Sequence, residues 1–366
     1  MESVYSAHIG ATMPFHDVVG QTRAIGFLQR ALATGRIAHA YLFSGPAGVG
    51  NCAAALAFAQ ALNCEEAAQP PTPNPQPPES PHALRLTPHD ACGACRSCRN
   101  IAAGQHPDVQ VIEPDGAFIK IEQIRTLEAD AALVPYEAPW KVFILDSAER
   151  MTEQAANALL KTLEEPAKDT VFILLTSAVA ALLPTIVSRC QSVTFTPLPH
   201  GEIETVLRRQ GMEPSQARLI ASLSRGSIDR ALSPEVASLP ATRDRLLEGI
   251  GRGLGEGPAA LVELAEKLAK DRDTLQQQLE ILSAWLRDLM VVKASGHTRW
   301  LVNDDRGEAI AGQAKSISLN AVLDGLRAVH AAMENITRNA NPRLSMEDLL
   351  LRLRELLPST LLSVSV

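Results

Sequence analysis

A chain of 366 residues, 46% hydrophobic and 20% charged, suits two or three domains with substantial cores. Its net charge of −7 and pI near 5.8 argue against a dedicated nucleic-acid surface, which is ordinarily basic, while leaving room for a local basic patch. No apolar run approaches the roughly 20 residues needed to span a bilayer, and the opening MESVYSAHIGATMPF lacks a basic n-region and an apolar core, so neither a membrane span nor a signal peptide is expected. The expected setting is the cytoplasm, where six cysteines read as metal ligands or free thiols rather than disulfides.

In chain order, Val19, Ile25, Leu28 and Leu32 give residues 17–36 a helical rhythm that Gly35 closes. A short apolar strand, Tyr41 to Phe43, then runs into a glycine loop and an alanine-rich helix, the layout of a phosphate-binding loop with the pattern GxxxxGK[ST]. Gly45, Gly48 and Gly50 supply the backbone cradle. Asn51 stands where a lysine would reach the β/γ-phosphates, and Cys52 where a hydroxyl would hold Mg²⁺. An amide carries no positive charge, and a neutral thiol is a poor ligand for a cation that prefers oxygen. The loop and helix N-terminus could still attract an anion, but ATP binding in cis is not expected.

Between Cys64 and Cys92 stand eight prolines, so 65–91 is expected to be an exposed insertion without regular structure. Cys92, Cys95 and Cys98 follow at C-x₂-C-x₂-C spacing, with Cys64 as a distant fourth. Four thiolates suit a closed, structural Zn²⁺ site; His89 or His106 could replace Cys64, and the cysteine run of an iron–sulfur site is absent. Asp108–Glu113 alternates like a strand, and a helix is expected over 121–133. Val142–Leu145 and Val171–Leu175 are continuous apolar runs of the kind buried on both faces of a parallel sheet. Between them Thr152 offers an N-cap, Ala156, Leu159, Leu160 and Leu163 share a helical face, and Pro166 stops the helix. With a last short strand at Ser192–Phe195, residues 20–195 read as a doubly wound α/β domain. A small helical cluster is expected over 198–232, and long amphipathic helices from about 240 onward. The apolar strand VFILD ends in Asp146, a place that supports Mg²⁺ in phosphate-loop ATPases, but Ser147 follows where a water-polarising glutamate belongs.

The segments HAYLFSGPAGVG (39–50), NALLKTLEEP (157–166) and LPTIVSRCQSVTF (183–195), with the cysteine cluster, WLRDL (285–289) and NPRLSMEDLLLRL (341–353), resemble the clamp-loader branch of the AAA+ family, in the form of the delta-prime subunits of bacterial DNA polymerase III. The resemblance spans about 15–358. It implies an α/β RecA-like AAA+ module with a parallel sheet flanked by helices (1–196, carrying the zinc module 64–98), a small helical lid (197–236) and an all-α oligomerisation collar (237–366). It further implies a subunit that does not hydrolyse ATP, sits in a five-subunit ring with delta and gamma/tau subunits, and touches the sliding clamp and primer-template DNA indirectly. Arg189, within SRC, would project as an arginine finger into the ATP site of a neighbouring subunit. In GSIDRAL (226–232), Asp229 stands where the ATPase subunits place a nucleotide-sensing arginine, with Arg230 one position later.

The residues distinguish this reading from two others. A working gamma/tau-type ATPase would need Lys at 51, a hydroxyl at 52 and a Glu after Asp146. A zinc-dependent nucleic-acid-binding module would need more positive charge near the cysteines than Arg96 and Arg99 provide. Cys190 is expected to pack as a small hydrophobe, Cys52 to face the phosphate loop, and His16 and His39 to be structural.

Overall fold

The computed structural model describes residues 14–66, 90–233, 236, 238–338 and 340–357. Most of the expected proline-rich insertion, including His89, lies outside the described residues. Those described form two compact units, 14–198 with 227–229, and 199–226 with 230–357.

The first unit is built on five parallel strands, β1 (Ala40–Ser44), β2 (Val109–Ile112), β3 (Lys141–Leu145), β4 (Thr170–Thr176) and β5 (Gln191–Thr194), in the order β2-β3-β4-β1-β5. β3 and β4 are buried at every position, which accounts for the apolar runs Val142–Leu145 and Val171–Leu175 within them. Successive side chains feed opposite faces: Tyr41, Phe43, Val142, Ile144, Ile173 and Leu175 join one core, and Leu42, Phe143, Leu145, Phe172 and Leu174 the other. Helices α1 (Thr22–Thr34), α2 (Asn51–Asn63) and α3 (Arg96–Ala102) accompany the strands, followed by α4 (Ile121–Ala131), α5 (Glu153–Glu164) and α6 (Pro184–Val187). The alanines of α2 are buried from Cys52 through Asn63, a helix apolar all round because it is covered on every side. Thr152 caps α5 as expected, accepting the Ala155 N–H at 3.2 Å.

The first helix starts at Thr22, five residues later than its rhythm suggested, because Gln21 takes a left-handed backbone (φ 52°) and spends its amide elsewhere. Its Nε2 donates to Val49 O (3.0 Å) and Thr196 O (2.7 Å), and its Oε1 accepts the Thr196 N–H. One side chain thus ties the phosphate loop to the exit of β5.

The second unit is helical: α7 (His200–Arg209), α8 (Pro214–Leu223), α10 (Leu239–Glu256), α11 (Pro258–Leu268), α12 (Arg272–Ser295), α13 (Gly307–Ser316), α14 (Leu319–Thr337) and α15 (Pro342–Leu356), while the short α9 (Ile228–Leu232) is shared between the units. WLRDL lies on α12, with Trp285, Leu286 and Leu289 in the core. Its Asp288 is fully buried and accepts the Val302 N–H (3.0 Å), the Asn303 N–H (2.8 Å) and the Asn303 side-chain amide (2.8 Å). Asp288→Ala leaves those donors buried without an acceptor, so thermal or urea unfolding of the chain should show a loss of about 2–4 kcal/mol. NPRLSMEDLLLRL is α15 and its cap: Asn341 accepts the Leu344 N–H, and Met346, Leu349, Leu350 and Leu353 are buried. Among the described residues no helix is long and apolar enough to cross a membrane.

Candidate functional site

The carboxyl ends of β1, β3 and β4 meet where ligands bind in open α/β sheets. A cavity of about 60 Å³ lies there, lined by Gly45, Ala47, Gly48, Asn51, Asp146, Ser147, Glu149, Leu175, Thr176 and Ser177. Gly45 is forced by close approach, since a Cβ there would lie 2.6 Å from Phe195 O. Gly48 and Gly50 have left-handed φ of 75° and 94°. The phosphate-loop backbone is therefore built, with an amide at Asn51 and a thiol at Cys52. Asn51 turns its side-chain oxygen back to accept the Cys52 N–H at 2.9 Å, consuming one of the donors a helix N-terminus would offer an anion.

The charges around this loop are negative. Asp146 and Glu149 line the cavity, and no lysine or arginine does among the described residues. Burial pushes the Asp146 carboxyl above its ordinary range, and burial with the Asp146 charge does the same to Glu113. Glu149 accepts the Ser177 hydroxyl at 2.7 Å, just past the end of β4. Cys52 does not line the cavity: it is 2% exposed in the core beside the sheet, and burial, with Asp146, Asp229 and Glu113, holds its thiol far above its usual range. The segment Ser227–Asp229 covers the loop: Ile228 N–H donates to Gly48 O at 2.8 Å, and a Cβ on Gly48 would collide with the Ser227 hydroxyl. Sequence reasoning flagged Asp229 but missed Gln21 and Ser177, whose roles depend on residues far off in the chain.

Arg189 follows α6 on a backbone turn, its N–H donating to Ile186 O at 3.0 Å. Its guanidinium is at the surface, one-third exposed, donating to Thr185 O (2.9 Å) and Glu164 Oε1 (2.5 Å). Neighbouring Cys190 packs against the apolar core, and burial pushes its thiol up to about 11.

Cys64 ends α2, Cys95 caps α3, and Cys98 lies in its first turn. The sulfurs of Cys64, Cys92, Cys95 and Cys98 all lie within 4.8 Å of one another. Backbone N–H groups point at them: Cys92 N to Cys64 Sγ (3.4 Å), Cys95 N to Cys92 Sγ (3.2 Å) and Cys98 N to Cys95 Sγ (3.4 Å). Such bonds favour thiolates, and a set of four thiolates fits one tetrahedral Zn²⁺. Proton sharing with Cys64, burial and the nearness of Cys95 hold Cys98 above the usual thiol range, a crowding that a central dication relieves. His106 is outside the cluster, its Nδ1 accepting the Asp108 N–H at 3.1 Å. His16 bonds the buried Asp90 carboxylate at 2.9 Å. Arg96 pairs with Glu137 (3.6 Å) and Arg99 with Ala94 O (2.6 Å), so the two cations near the cysteines are already engaged.

A family profile described as "DNA polymerase III, delta subunit" matches residues 20–78 and 79–199, and one described as "DNA polymerase III, delta subunit, C terminal" matches 239–355. The DNA polymerase III subunit delta' of Bacillus subtilis is 31% identical over 338 residues, covering 92% of this chain and 96% of that one. The chain belongs to the delta-prime family of DNA polymerase III subunits. The delta' subunit of Pseudomonas aeruginosa is 37% identical over 239 residues, 64% of this chain and 62% of its own length. Subunit tau of Escherichia coli is 35% identical over 226 residues, 60% of this delta-prime chain but 32% of tau. The parallel sheet with its flanking helices is the α/β architecture expected for residues 20–195.

Proposed function

We propose that this delta-prime chain is a non-hydrolysing, stator-like subunit of the DNA polymerase III clamp loader, one that lends Arg189 in trans to a neighbouring motor subunit. The observation carrying the reading is the phosphate loop: a cavity of about 60 Å³, edged by Asp146 and Glu149 and without a cation, against the roughly 300–1,000 Å³ of ligand pockets. A triphosphate brought there meets carboxylates in place of a lysine, and the loss is repeated at Cys52 and Ser147. Arg189, by contrast, is a guanidinium displayed at the surface, the chemistry needed to stabilise charge on a transferring phosphoryl group. Cys64, Cys92, Cys95 and Cys98 would hold a structural Zn²⁺ with no position left open for water.

On this reading 1–196 is the AAA+ module, 197–236 the lid and 237–366 the oligomerisation collar. The partners are delta and gamma/tau subunits in a five-membered ring in the cytoplasm, with the sliding clamp and primer-template DNA reached through them. Reconstitution with motor and delta subunits tests it: clamp loading should require this chain, while the chain alone should neither bind Mg·ATP tightly nor cleave it. Tight binding with unaided cleavage would overturn the reading. The double substitution Asn51→Lys with Cys52→Thr should still leave the chain without micromolar ATP affinity in a calorimetric titration. It restores two side chains but leaves the small cavity, its carboxylates and the Ser227–Asp229 cover over Gly48.

A further inference from the structure

The reading of Arg189 leaves unexplained how a long, flexible side chain is kept ready at an open surface. Arginine carries substantial rotamer entropy, and a finger that must be ordered during docking arrives late and badly aimed. In this chain three contacts restrain it, the weakest from Nη1 to the Ser188 hydroxyl at 3.5 Å. Thr185 O takes Nη1 at 2.9 Å, and Glu164 Oε1 takes Nη2 at 2.5 Å. Glu164 is itself fixed, because it is the last residue of α5, the Glu165 N–H closes the helix on Lys161 O at 3.1 Å, and Pro166 prevents its continuation. The C-terminal end of α5 also presents partial negative charge on the side of the guanidinium. Both partners are partly exposed, Arg189 at 33% and Glu164 at 51%, so the pair orients the fork without trapping it.

We propose that Glu164 is the positioning residue of Arg189: it holds the guanidinium pointed outward before the neighbouring nucleotide arrives and braces its far edge once phosphate is engaged. This rests on the arginine-finger reading above. Glu164 touches no reacting atom; it acts only through Arg189.

The test is a double-mutant cycle in the loader reconstituted from full chains. Glu164→Ala should lower ATP turnover at saturation about two- to fivefold, the range of an exposed ion pair converted to a rate ratio, with the KM for ATP and the melting temperature of the free chain unchanged. Glu164→Gln, which keeps an oxygen acceptor, should recover part of the loss. In an Arg189→Ala background Glu164→Ala should change nothing further. If Arg189→Ala slows turnover while Glu164→Ala is silent, accelerating or equally damaging in both backgrounds, the positioning role falls and the finger stands. If Arg189→Ala is itself silent, the finger reading falls and the positioning role falls with it.

Discussion

Arg189→Ala is expected to slow hydrolysis at the one neighbouring pocket it serves by about 10³-fold or more, the lower end of what arginine fingers contribute in GTPase systems. On the proposed trans role the loss is large because the guanidinium would act where charge accumulates during phosphoryl transfer. Arg189→Lys should recover little, since an ammonium is a single point of charge without the planar fork that grips two phosphate oxygens. The chain itself should remain folded. Its stability loses an exposed ion pair to Glu164 and bonds to Thr185 O and the Ser188 hydroxyl, about 1 kcal/mol or less. Single-turnover hydrolysis in the reconstituted complex, read beside a thermal melt of the free chain, separates the two effects; wild-type turnover with Arg189→Ala would remove the trans role.

Loss of the metal should have the other large effect. The purified chain should contain one zinc, and Cys98→Ser should abolish it, because Cys98 is fully buried among three other sulfurs and no water can take its place. Apparent zinc binding energies of about 10–16 kcal/mol in small zinc-finger peptides set the scale of what the metal can contribute to local folding. The loop between Cys64 and Cys92 does not change that ranking, since each doubling of a loop costs only about 0.6 kcal/mol. Damage should begin at α3, whose N-cap is Cys95, and spread to α2 through the bond from Gln60 Nε2 to Cys98 O at 3.3 Å. Metal analysis and hydrogen exchange over 90–104 would follow it. Acid should strip the metal, because protons compete for the thiolates. A purified chain with no metal, or with iron, would sink the zinc assignment.

Much of the α/β unit was legible in the sequence. The strands at Val142–Leu145 and Val171–Leu175 announce themselves because burial on both faces favours apolar residues along their middles, and they appear as β3, one residue longer at its start, and β4, one residue longer at each end. The glycines of the phosphate loop and the substitutions at 51, 52 and 147 were equally plain, since each is a local departure from a local pattern. What stayed hidden depends on distant partners. Cys52 was expected at the loop and lies in the core, because the first turn of α2 aims that side chain at the sheet. Gln21 delays α1 through bonds to Val49 and Thr196, and Glu164 meets Arg189 across a stretch that no spacing rule covers. Asp288 looks like a surface charge on a helix until the Val302 and Asn303 N–H groups arrive against it.

The strand order has a consequence for biosynthesis. Tyr41, Leu42 and Phe43 lie between β4 and β5, with Ala40 opposite Phe172 and Tyr41 opposite Gln191, so the central strand leaves the ribosome long before either neighbour exists. Until Thr194 has emerged, its edges and the apolar flank of α2 are open to other nascent chains, and the long separation between partners makes closure slow. On the proposed zinc reading, the cysteine-bearing segment, complete at Cys98, captures the ion earlier and holds the end of α2 in place while the sheet waits for its final strands.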